Sequence, residues 1–162
     1  MQGKIIFAGL LILATLPLLA NRRQENLDRA AFYNVMAAGK LDQINAELEV
    51  VKKSAMPGKT AFEGTLLMKK AGVVSGPGKK LSLFKAGHTK LEAEIAKDSA
   101  NTELRFLRLM IQENAPGILG YKGELQKDRE HIRKHFTSLL PVVQHAITDY
   151  SKKSKVLTPA DL

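Results

Sequence analysis

Arg105 and Arg108 stand three residues apart inside an otherwise apolar stretch, Leu104 to Ile111. If that stretch is a helix, successive spacings of four, three and four place Asn101, Arg105, Arg108 and Gln112 along one narrow seam. Two guanidiniums one turn apart can hold a carboxylate or a phosphate through paired hydrogen bonds. The seam therefore has two readings. It faces water or pairs internally with Asp98, Glu92 or Glu94, or it lines a groove that grips an anionic group on a partner. The loop that follows, "APGILGYK", ends the helix at Pro116 and sets Ile118, Leu119 and Tyr121 in apolar succession. These side chains are expected to fold back as a lid on the core, with an exposed contact patch as the alternative. Tyr121 joins the seam as a candidate binding residue.

A second constellation lies in "DREHIRKH". Asp128, His131 and His135 share one helical face at metal-ligand spacing. The zinc-protease pattern requires glutamate directly after the first histidine, where this chain has Ile132. Arg129, Arg133 and Lys134 add positive charge that disfavours a cation. The expectation is an exposed basic face that Asp128 and Glu130 partly neutralise, with no metal and no cofactor. His88, on an apolar stripe with Leu81, Phe84, Leu91 and Ile95, reads as a packed histidine. "GVVSGPGKK" fails as a phosphate loop, since five residues separate Gly72 from Gly78 and Lys80 stands where serine or threonine is needed. It reads as a flexible linker. No serine has a nucleophile context and no carboxylate pair stands out, so an enzyme is not expected.

Composition bounds the partners. The chain has 162 residues, enough for one modest core. It has no cysteine, which excludes disulfides, thiolate metal sites and cysteine-linked lipid. Its 25 basic and 16 acidic residues give a net charge of +9, which favours anionic partners. At the amino terminus, Lys4 precedes an apolar run from Ile5 to Ala20, and Arg22 and Arg23 follow. As a helix that run spans about 24 Å, short of the roughly 30 Å hydrocarbon core. Residues 1–20 are read as a secretory signal cleaved after Ala20 or as an uncleaved membrane anchor, which the two arginines favour. Export makes nucleic acid an unexpected partner and places the protein in the periplasm or envelope.

The elements that must position these residues all read as helices. Apolar residues recur at spacings of three and four, and no stretch alternates as a strand does. Helices are predicted over Leu27–Ala38, ended by Gly39; from Leu41 through Val51; from a Thr60–Glu63 capping box; over Leu81–Ile95; over the arginine stretch, as the most buried of all; from Glu124 to Leu140; and over Val142–Tyr150. Gly64 within the third suggests close approach of a neighbouring helix. The fold class expected is all-α: three antiparallel helix pairs plus a terminal helix, tetratricopeptide-like or an irregular bundle, over residues 21–151. Residues 152–162 are expected to form a flexible basic tail.

Two resemblances follow from quoted residues. "KLEAEIAKDSANTELRFL" resembles a tetratricopeptide helix–turn–helix junction at Leu91, Ile95, Asp98 and Asn101, although Arg105 replaces the expected aromatic, Ser99 the proline and Leu109 the small residue. The export signal, helical body and "RFLRLMIQENAPGILGY" together resemble small exported proteins of Bacteroidetes bacteria. That resemblance implies a Gram-negative envelope setting and a helical fold, and brings no catalytic residues. The functional expectation is a non-enzymatic interaction or scaffold module of the envelope that binds a protein or peptide near Arg105 and Arg108. Peripheral binding to anionic lipid or glycan is the alternative.

Overall fold

The computed structural model describes residues 27–162, so the signal or anchor segment lies outside the described residues. Seven α-helices follow in order: α1 (Arg29–Ala38), α2 (Leu41–Lys53), α3 (Lys59–Val73), α4 (Pro77–Lys97), α5 (Thr102–Asn114), α6 (Leu125–His135) and α7 (Pro141–Ser151). Single 3-10 turns occupy Gly117–Leu119, Phe136–Ser138 and Pro159–Asp161, and there is no strand among the described residues. The fold is all-α, as the periodicity predicts.

Local chemistry sets the helix ends. Asp28 caps α1 by accepting from the amides of Ala30 and Ala31, and Gly39 closes it at φ 65° with its N–H on the Val35 carbonyl. Asn101 caps α5 by accepting from the Leu104 amide. The proposed capping box at Thr60 is not formed. α3 begins two residues earlier than that box requires, at Lys59, behind Gly58 at φ 75°, and Glu63 instead pairs with Lys90 of α4. The glycine in the left-handed region turns the chain so sharply that Thr60 falls inside the first turn. "GVVSGPGKK" is also mostly helical, because Pro77 at the first position of α4 starts the helix and leaves only Val74 to Gly76 between the two.

α3 and α4 make the most extensive packing in the molecule. Their crossing depends on two facing glycines. A Cβ added to Gly64 would stand 2.6 Å from the Gly87 carbonyl oxygen, and one added to Gly87 would collide with the Gly64 carbonyl. α5 packs on α6, and α2 packs more extensively on α3 than on α1. α7 returns to α1, so the helices form a closed irregular bundle. α5 runs through its interior, with nine of its thirteen residues buried.

An aromatic cluster links the odd-numbered helices. Phe32 meets Phe62 at 4.9 Å between centroids, and Phe106 meets Tyr33 at 5.7 Å and Tyr150 at 5.6 Å. The carboxyl-terminal tail is not loose. Leu157 is fully buried, Glu113 accepts from Tyr150, Ser154 and the Lys155 amide, and Arg129 pairs with Asp161 at 2.5 Å. One apolar anchor and two carboxylates outweigh the basic, polar composition that suggested a flexible tail.

Candidate functional site

The arginine seam is built on α5 and turned inward. Arg108 donates from Nε to Asp128 Oδ2 at 2.7 Å and from Nη2 to Oδ1 at 2.8 Å, a two-point fork across α5 and α6. Its Nη1 donates to Glu92 Oε2 of α4 at 3.0 Å. Arg105 donates to Asp128 Oδ1 at 3.0 Å and to the Ser99 carbonyl at 2.7 Å. Asp128 has no exposed side-chain surface and Arg108 only 8%. Burial alone would depress the Arg108 pKa, but the hydrogen bonds and charge of Asp128, then of Glu92, outweigh it and raise the pKa. The arginines therefore grip carboxylates of the chain itself. Of the three internal partners the spacing offered, Glu92 is used; Asp98 instead accepts from Asn101 and Glu94 pairs with Lys97.

The network continues to the loop. Tyr121 donates its hydroxyl to Glu92 Oε1, so loop, α4, α5 and α6 share one chain of charged contacts. Burial and then the Glu92 hydrogen bond push the Tyr121 pKa up. Its ring packs edge-on against His88 at 4.6 Å and Phe84 at 5.7 Å, and His88 is the packed histidine its stripe predicts. The loop is half lid and half patch: Tyr121 is buried and Leu119 partly so, while Ile118 is 95% exposed. Between α4 and this loop lies a groove of about 440 Å³, lined by Leu81, Phe84, Lys85 and His88 on one side and Ile118 to Tyr121 on the other.

The remaining seam residues are separated by role. Asn101 is the α5 cap, whereas Gln112 is 2% exposed with no hydrogen-bond partner for its Oε1 among the described residues. The Asp128–His131–His135 face does not converge on a point. Asp128 is held by the arginines and, far from neutralising an exposed face, is fully buried. His131 Nε2 donates to the Ala100 carbonyl at 3.0 Å and lies 3.1 Å from the Thr102 hydroxyl, which fixes the proton on that nitrogen because a carbonyl only accepts. His135 Nδ1 donates to the His131 carbonyl, and the two rings stack at 4.2 Å. Burial first, then the charges of Arg105 and His135, lower the His131 pKa despite the Ala100 bond. Among the described residues no group of three metal-ligating side chains exists.

The buried role of Asp128 had a sequence signal. Leu125, Asp128 and Ile132 follow three-and-four spacing, so the aspartate sits on the apolar stripe of α6. A carboxylate on such a stripe requires cationic partners from a facing helix. The groove itself had no comparable signal, since Ile118 and Leu81 are far apart in sequence and meet only through the fold.

Lys85 is the charged residue among those that line the groove, and the helices before and along it are rich in lysine. From Gly64 to Leu91 there is no acidic residue, but Lys69, Lys70, Lys79, Lys80, Lys85 and Lys90 all fall there. Lys79, Lys80, Lys85 and Lys122 make no ion pair among the described residues. No helix among the described residues is long and apolar enough to cross a membrane. Comparison with protein-family models, curated proteins and solved structures finds no match.

Proposed function

We propose that this chain is a non-enzymatic interaction module of the cell envelope, and that it binds an acidic protein segment through the groove between α4 and the 116–121 loop. The observation that carries the reading is Ile118, 95% exposed beside a groove that also presents Leu81 at 43% exposure. A large apolar side chain held out from the surface contributes most when a partner covers it. The groove accepts one or two apolar side chains, and the lysines of α4 supply long-range attraction for a partner with flanking carboxylates. Arg105 and Arg108 contribute indirectly. Through Asp128 and Glu92 they hold α4 and Tyr121 in place, so the groove keeps one shape. The envelope setting rests on the amino-terminal sequence and the resemblance to exported Bacteroidetes proteins.

A second reading, adsorption to anionic lipid or glycan, draws on the same acid-free lysine stretch together with Val73, exposed within it. Salt separates the two. Screening removes attraction between exposed charges but leaves apolar burial intact. The test is sedimentation of the full chain with phosphatidylglycerol vesicles, alongside recovery of its partner from native envelope, each at low and high salt. Partner retention at high salt that is lost with Leu81→Asp supports the groove. Vesicle binding that salt abolishes, with no salt-resistant partner, moves the assignment to the lipid surface and overturns the groove.

A further inference from the structure

We propose that the groove between α1 and α2 is a second binding site, taking an apolar protein segment that carries a lysine or arginine, with Glu47 as its ionic anchor. Gln43, Ala46, Glu47 and Val50 follow three-and-four spacing on α2, and Val35 and Ala38 face them from α1. Together they shape an open groove of about 380 Å³, whose two alanines let a partner side chain approach closely. No lysine or arginine lines it. Glu47 is only 7% exposed, and its Oε1 is shut off from solvent with no hydrogen-bond partner among the described residues.

A carboxylate without a partner among the described residues is costly in that position, and burial followed by the nearby Asp28 charge raises its pKa. A turn of the Glu47 side chain into the groove that it lines lets an incoming ammonium or guanidinium remove the penalty by a charge-assisted hydrogen bond in a partly dry site. A neutral segment leaves the acid unsatisfied, and an acidic one meets Glu47 and Asp28 as like charges. Val50, 47% exposed, offers the apolar contact beside the anchor. Charge complementarity thus selects a basic, apolar segment here, opposite in sign to the partner that the α4 lysines attract. The molecule carries two faces of opposite preference, the arrangement a scaffold for two partners requires.

The test uses the isotope-labelled full chain and three blocked amphipathic helical peptides, identical except for lysine, norleucine or glutamate at one central position. The lysine peptide shifts the amides of Ala38, Ala46 and Val50 saturably and binds at least about tenfold more tightly than the norleucine peptide. The glutamate peptide produces no shift. Glu47→Gln abolishes the preference, and Ala46→Arg, which places a cation in the groove from an exposed position, blocks the lysine peptide. Three peptides that bind alike, no binding at all, or a lysine preference that survives Glu47→Gln or Ala46→Arg overturns the proposal.

Discussion

Arg108 and Asp128 are twenty residues apart in sequence and joined by two parallel hydrogen bonds, 2.7 and 2.8 Å long, in the interior between α5 and α6. Asp128 also accepts from Arg105, so one buried carboxylate balances two cations. Removing it leaves both guanidiniums facing a cavity. We predict that Asp128→Ala costs about 3–5 kcal/mol of stability, and that Arg108→Met with Asp128→Leu costs distinctly less, because the two most buried charges leave together and the groups that lose a partner, Arg105 and Glu92, are both partly exposed. Urea unfolding of the two variants checks the order; a double variant as unstable as the single one contradicts it.

The α3–α4 crossing makes opposite predictions for different glycines. Gly64→Ala or Gly87→Ala forces the two helices apart and is expected to cost about 1–3 kcal/mol. Gly72→Ala, in the last turn of α3 with nothing within 4 Å of the added Cβ, is expected to stabilise by about 0.4–1 kcal/mol through the unfolded state. Thermal denaturation of the three variants distinguishes the signs.

How far the sequence reached depended on whether a feature was local. Three-and-four spacing marked all seven helices, and Gly39 marked the end of the first, because capping acts within a few residues; Asn101, read as part of the seam, is instead the α5 cap. Gly64 announced a close crossing but could not name Gly87, twenty-three residues on. The tail read as loose because its lysines dominate the composition, while a single leucine and two distant partners, Glu113 and Arg129, decide its position. At the seam, the arginine spacing was legible and its partners only half so. Glu92 lay within reach of the turn, whereas Asp128 is delivered by α6 folding back.

The pinned tail predicts that Leu157→Ala costs about 2–5 kcal/mol. Limited proteolysis after Lys152, Lys153 and Lys155 should be slow in the native chain and fast in Leu157→Ala. Asp161 adds an acid limit. The Arg129 hydrogen bond first, then the Thr158 amide, hold its pKa down at about 2. A carboxylate with a depressed folded pKa stabilises above its unfolded value near 3.9, and that contribution is lost as pH falls toward 2. Asp161→Asn should therefore lose stability relative to the native chain at neutral pH and converge with it in strong acid.

His131 predicts sensitivity at milder pH. Its folded pKa lies below the ordinary value of about 6.5, so the neutral ring is favoured in the fold. The stability it contributes is present above about 6.5 and is lost as pH falls through the lowered folded value. Imidazole resonances should give a His131 midpoint below that of an unperturbed histidine. A midpoint at or above about 6.5 contradicts the burial of its ring against the α4–α5 turn.

The groove beside Ile118 carries the central claim, and photocrosslinking in native cells tests it most directly. A photoreactive residue is placed at position 118 of the full chain and, as a control, at Leu140, another exposed apolar position. The account predicts a discrete protein adduct from position 118 alone, mapped to an apolar segment flanked by carboxylates and abolished by Leu81→Asp or by reversing the charge of Lys79, Lys80 and Lys85. Equal adducts from both positions, lipid adducts only, or a protein adduct indifferent to those substitutions would contradict it.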